Sequence, residues 1–133
     1  MSDMNPSRQL STIQKRENLH KVFATDFPGP GGACHNYAIV PVVNDTDSER
    51  ELWGQAAYIQ LQCGPRKDPD ATHGVLDCDL LEIARDRLKA FQAGPYASEY
   101  NAQALIHVEE ALMWLNRRVE DRIERQVLGT MEK

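Results

Sequence analysis

No stretch of this 133-residue chain approaches the roughly 20 consecutive apolar residues that a membrane-spanning helix needs. The polar N-terminus has no apolar core of the kind a secretory signal carries. Cysteine is scarce as well. Cys34, Cys63 and Cys78 are odd in number and widely spaced, which fits a reducing compartment. The expectation is a cytosolic protein. Basic residues are outnumbered, with 15 Lys and Arg against 20 Asp and Glu for a net charge of −5, which argues against a general nucleic-acid binder. That balance still permits a small anionic ligand, because one local basic cluster can hold a phosphate. Catalytic signatures are missing too: there is no P-loop, G-x-S-x-G, H-E-x-x-H or dinucleotide fingerprint. Cys34-His35, Cys63, His73 and Cys78 match no usual zinc spacing, so buried or loop positions explain them better than a metal. The chain is therefore expected to have no catalytic residue, no metal and no cofactor.

What is present reads as α+β: a small antiparallel β-sheet region followed by a C-terminal antiparallel two-helix hairpin. Residues 1–26 form a polar tail in which Ser11 to Val22 could make a short helix. Residues 27–76 form a small β region. It opens on FPGPGGA (Phe27 to Ala33), a Pro- and Gly-rich loop. Tyr37 to Val43 and Ala56 to Cys63 are β-branched, aromatic and short enough for strands. Pro41 points to an edge or interrupted strand, and NDTDSER between the two reads as a polar connection. After the loop from Gly64 to Gly74, residues 77–128 turn helical. Asp77 or Asp79 can cap the first helix, with Glu82 as a capping-box partner, and Leu80, Leu81, Ala84, Leu88 and Phe91 share one face. Gly94-Pro95 ends it. Ser98 caps the second, whose stripe runs Leu105, Val108, Leu112, Leu115, Val119 and Ile123. The short GPYA connection forces the helices antiparallel.

The polar residues of the hairpin admit two readings. Arg118 and Arg122 lie four apart on one helical face, where like charges repel and an intervening phosphate would reverse the sign. Spacing alone favours neutralisation by Glu120, Asp121 and Glu124 along an ordinary charged helix. Phe91 could stack on a base and Asn101 could bond its edge or a ribose; equally, Phe91 closes its helix's core stripe. Glu109-Glu110 diverge by about 100° on a helix and read as solvated or ion-paired, not as an acid–base pair.

The segments DRLKAFQAGPYA, the Asn101 that follows, EEALMWLNRR and DRIERQVLGT, with IQLQCGPRK and GGACHNY before them, resemble the Thoeris anti-defence 1 family of phage immune-evasion proteins. That family shares its helical hairpin domain with the anti-CBASS cyclic-oligonucleotide sponges. The resemblance covers roughly residues 30–130 and is specific in combination; the first 25 residues match nothing. It implies a protein that binds and sequesters, without cleaving, cyclic ADP-ribose isomers made by TIR-domain immune enzymes in the cytoplasm of an infected bacterium. The family's ligand-contacting Phe, Asn and two Arg correspond to Phe91, Asn101, Arg118 and Arg122. Members assemble as hexamers, and some also hold cyclic di- or trinucleotides. For those, Arg66, Lys67 and Arg87 are candidates to line a second anionic pocket where subunits meet. Where many members read Arg-Thr before the acidic pair, this chain reads Arg118-Val119, so the arginine survives without the hydroxyl.

Helix geometry constrains the implied site. Asn101 and Arg118 lie 17 positions apart, about 25 Å along a helix, too far for one compact nucleotide to touch both in one hairpin. If the implied site is right, the protein is at least a dimer, with one subunit's tip meeting the other's arginines across a two-fold axis. The rivals are a sponge for cyclic di- or trinucleotides acting against CBASS, a hydrolase that destroys the signal, and a structural or adaptor protein whose arginines are solvated surface.

Overall fold

A computed structural model describes residues 7–42, 44 and 46–131, which divide into two compact units, one up to Cys63 and one from Gly64 onward. The first is a four-stranded antiparallel meander in the order β1-β2-β3-β4: β1 Arg8–Gln9, β2 His20–Ala24, β3 Asn36–Pro41 and β4 Ala57–Gln60. The second holds two long helices, α2 Asp77–Gln92 and α3 Glu99–Glu124. The expected α+β order of sheet then hairpin is observed.

Several local expectations give way to longer-range pairing. Ser11 to Val22 forms no helix; its last residues are strand β2, and Leu10 N–H donates to Val22 O at 2.8 Å. Polar side chains hold the intervening segment out of a helix, with Asn18 Nδ2 donating to Thr12 Oγ1 (3.0 Å) and to Gln14 O (3.1 Å). Such local side-chain bonds compete directly with helical hydrogen bonding. Pro41 does not mark an edge, because β3 lies between β2 and β4. It is tolerated as the strand's last residue: Val42 N–H bonds Leu19 O, so position 41 points the other way, where β4 has already ended at the Ala57–Ile39 pair. The expected strand end at Val43 lies outside the described residues, as do positions 1–6 of the N-terminal tail.

The polar connection between β3 and β4 contains a helix, α1 Glu49–Gly54, that composition obscured. Ser48 caps it by accepting from Glu51 N–H, and Glu51 reaches back to Ser48 in a capping box. Its apolar residues close the core of this unit. Leu52 is buried, and the Trp53 ring lies 4.9 Å from that of Phe23. Phe23 pairs with Ala38 and Lys21 with Val40, so Ala38 and Val40 share the face that carries Phe23. Both are fully or nearly fully buried, as are Ala24 and Cys34. The loop after β2 is fixed by Asp26, whose carboxylate accepts from the backbone N–H groups of His35 and Asn36 at 3.0–3.2 Å.

The hairpin unit is built differently. Ser98 caps α3 as expected, accepting from Asn101 N–H at 3.1 Å. Leu76, not Asp77 or Asp79, is the N-cap of α2; Asp79 takes the capping-box role by accepting from Leu76 N–H at 2.8 Å. Glu82 serves a different purpose, pairing with Arg85 at 3.3 Å. The helices pack along the expected stripes, and Arg85 Nε bridges them to Glu109 at 2.7 Å. Yet Leu105, Val108, Leu112, Leu115 and Val119 are only half-buried. No apolar residue described in this unit reaches full burial. A packed interior would exclude water from such a stripe, worth about 25 cal/mol per Å², so the hairpin keeps apolar surface that the two helices do not cover by themselves. Ile123, at 48% exposure, lies outside the seam, because α3 runs 26 residues against 16 for α2 and its last turns extend past the start of that helix.

The C-terminal turn completes the unit. Gln126 adopts φ 59°, its N–H bonds Ile123 O, and Val127 N–H bonds Arg122 O at 2.9 Å, a Schellman ending. Gly129 follows at φ 79°, and its carbonyl takes Lys67 N–H; a Cβ there would stand 3.0 Å from the Lys67 stem. A side chain fits neither the dihedral nor the space.

Candidate functional site

The residues singled out from the sequence fall at two places on the hairpin. At the tip, Phe91 sits in the last turn of α2 at 36% exposure, and Asn101 in the first turn of α3 is half-buried. The connection between them is held by side chains: Gln92 Oε1 accepts from Ser98 N–H at 2.9 Å, and Asn101 Nδ2 donates to Tyr96 O at 3.3 Å. Asn101 is thereby oriented by the turn it follows. Tyr96 and Tyr100, at 75% and 88% exposure, flank it. These two aromatics had no periodic signal in the sequence, since neither belongs to the core stripe.

Towards the other end of α3, Arg118 and Arg122 are not equivalent. Arg118 is exposed and takes part in no ion pair among the described residues. Arg122 is 6% exposed, and its Nη2 donates to Val127 O and Thr130 O, each at 3.0 Å. The arginine whose carbonyl closes the Schellman ending therefore also clamps the following turn with its side chain. Of the acids expected to neutralise the cluster, Asp121 is engaged with Arg125 at 3.0 Å. Helix α3 is unbroken from Glu99 to Glu124, so tip and arginine end remain about 25 Å apart. The fold does not bring the four residues together within one chain.

The remaining candidates separate similarly. Arg66 and Lys67 are exposed on the loop that meets the C-terminal turn. Arg87 lies ten residues into α2, with its guanidinium carbon 5.3 Å from the centroid of the Phe91 ring. This contact was legible only as an i, i+4 pairing of Arg and Phe. Glu109 and Glu110 are each tied up, the first with Arg85 and the second with His107 Nδ1 at 2.9 Å. Among the described residues no three His, Cys, Asp or Glu side chains converge as metal ligands, all three cysteines are free, and no helix is long and apolar enough to cross a membrane.

A groove of about 640 Å³ runs between the start of α2 and the second half of α3. Asp79, Glu82 and Glu109 face it against the single cation of Arg85, over an apolar floor that includes Leu112 and Val119. Three carboxylates against one guanidinium repel a phosphate. The volume suits a nucleotide; the charge does not.

Residues 55–120 match the family model described as "Acb2/Tad1, hairpin domain", a range that contains Phe91, Asn101 and Arg118 but stops before Arg122. The chain is also similar to "Thoeris anti-defense 1" of Bacillus phage SBSphiJ7, at 39% identity over 84 residues, or 63% of this chain. The match spans 58% of the length of that relative.

Proposed function

We propose that this chain, whose residues 55–120 match the Acb2/Tad1 hairpin domain and which is similar to a Thoeris anti-defense 1 protein, is an anti-defence sponge. In this reading it binds cyclic ADP-ribose isomers made by TIR enzymes of the Thoeris system and withholds them without cleavage. The observation that carries the proposal is the arrangement on the hairpin: a partly exposed aromatic ring and a turn-oriented amide at the tip, and an uncompensated arginine about 25 Å away.

A cleft that holds a nucleotide measures about 10 Å across, so the two groups act on the same ligand only when they come from different chains. Two hairpins packed antiparallel about a two-fold axis place one tip against the other's arginine end, giving two equal sites. Phe91 offers its ring to the base, Asn101 its amide to the base edge or ribose, and Arg118 a bidentate fork to phosphate. Arg122 keeps the C-terminal turn folded beside Arg118 and adds its charge from behind. Apolar surface left uncovered on Leu112, Leu115 and Val119 supports such packing, and copies beyond two are compatible with a hexamer. None of these groups is an activated nucleophile or a poised base, which favours capture over turnover. An enclosed site between chains also suits slow release.

Calorimetry of the full chain with 1″–2′ and 1″–3′ glycocyclic ADP-ribose, alongside cyclic di- and trinucleotides, tests the proposal. Tight binding of a cyclic ADP-ribose isomer, with intact ligand recovered after heat denaturation, is the expected result. Binding of cyclic oligonucleotides alone would move the protein to the anti-CBASS class. Degraded product would make it a hydrolase.

A further inference from the structure

The geometry points to Arg87 as a fifth member of the site, a cation held on the Phe91 ring that supplies the tip half-site with its own phosphate contact. This inference rests on the reading of Phe91 as a base platform and extends it. Arg87 and Phe91 are four apart on α2 and therefore share a face, and the guanidinium carbon stands 5.3 Å from the ring centroid. A guanidinium at that distance over a ring keeps its charge beside the ring while its N–H donors stay available to an anion.

The surroundings of Arg87 distinguish it from its neighbour. Arg85 is spent on Glu82 and Glu109. Arg87 is exposed and has Ile83, Ala84, Ala90 and Phe91 at the helical i±3 and i±4 positions, none of them acidic. It takes part in no ion pair among the described residues. An unpaired cation positioned on an aromatic ring at the tip is suited to an anion arriving with a stacked base. A base on Phe91 carries its phosphate one ribose away, beside Arg87. A cyclic ADP-ribose isomer has two linked phosphates, so Arg87 of one chain and Arg118 of the other clamp the pair from opposite sides.

Arg87→Ala, Arg87→Lys, Phe91→Ala and Lys89→Ala, each checked for an unchanged melting profile without ligand, separate the possibilities. The measurement is calorimetric affinity for 1″–2′ and 1″–3′ glycocyclic ADP-ribose at low and at physiological salt. Arg87→Ala is expected to weaken binding about tenfold or more, as the loss of one charged hydrogen bond does, and to flatten its salt dependence. Arg87→Lys recovers part of the loss, and Lys89→Ala binds like the parent. Wild-type or tighter affinity in Arg87→Ala, with binding lost in Phe91→Ala, overturns the role of Arg87 and leaves the base platform standing. Wild-type affinity in both variants overturns the platform as well.

Discussion

A site shared between chains makes a quantitative prediction about mixtures. Phe91→Ala removes the platform from both tips of a dimer, and Arg118→Ala removes the fork from both arginine ends, so each variant alone has no complete site. Unfolded together in equal amounts and refolded, the two distribute at random. About half of the dimers are then mixed, and each mixed dimer has one site made of an intact tip and an intact arginine end, opposite one site that lacks both. The mixture is therefore expected to titrate about one quarter of the wild-type sites, at the wild-type affinity, since every surviving site has its full complement of groups. The premise is the continuity of α3: Asn101 and Arg118 are separated by 17 residues of unbroken helix, about 25 Å. Isothermal calorimetry reads stoichiometry and affinity in one titration, and static light scattering of each variant verifies that assembly persists. If the mixture shows no more saturable sites than the separate variants, the site lies within one chain and the geometric argument fails.

Two further perturbations probe the supporting structure. Arg122→Ala removes the two guanidinium hydrogen bonds to Val127 O and Thr130 O, a loss on the order of 2 kcal/mol for a buried charged group. It should lower the melting temperature by several degrees in differential scanning calorimetry as well as weakening binding; Arg118→Ala, at an exposed position, should weaken binding alone. An unchanged melting temperature in Arg122→Ala would show that the clamp on Val127 and Thr130 contributes nothing. Asp26 yields a pH dependence: desolvation pushes its carboxyl up, but the N–H donors of His35 and Asn36, with the His35 charge, outweigh this and leave it below the ordinary carboxylate range. A group depressed by folding stabilises above its unfolded value and loses that contribution as pH falls through the folded one. Asp26→Asn should therefore be less stable than the parent at neutral pH in urea denaturation, with the gap narrowing below about pH 4; a gap independent of pH would rule out the carboxylate as the cause.

How much of this was legible in advance depended on the range of the interactions involved. The hairpin was readable because its determinants are local: the apolar stripe recurs within the helix, Ser98 is its own cap, and Gly94-Pro95 stops α2 without help from elsewhere. The sheet was half readable. Val22 and Phe23 belong to a strand only because β3 lies beside them, and no helical or strand period within residues 11–22 carries that information. The position of Pro41 in an interior strand depended on where β4 stops, which is a fact about another segment. Helix α1 escaped notice because it is six residues long, although Ser48 and Glu51 spell out its capping box.

The candidate site divides along the same line. Residue types at Phe91, Asn101, Arg118 and Arg122 were visible in the sequence, and the 25 Å separation followed from helical rise alone. Helical rise by itself determined that one hairpin can hold only part of the proposed site. Only tertiary structure separated the two arginines, which look alike on a helical wheel: the Schellman turn after Glu124 folds back over Arg122 and buries its guanidinium against carbonyls, while Arg118, one turn earlier, stays in solvent. That distinction depends on a change of chain direction at Gln126 and Gly129, and a periodic pattern contains no term for it.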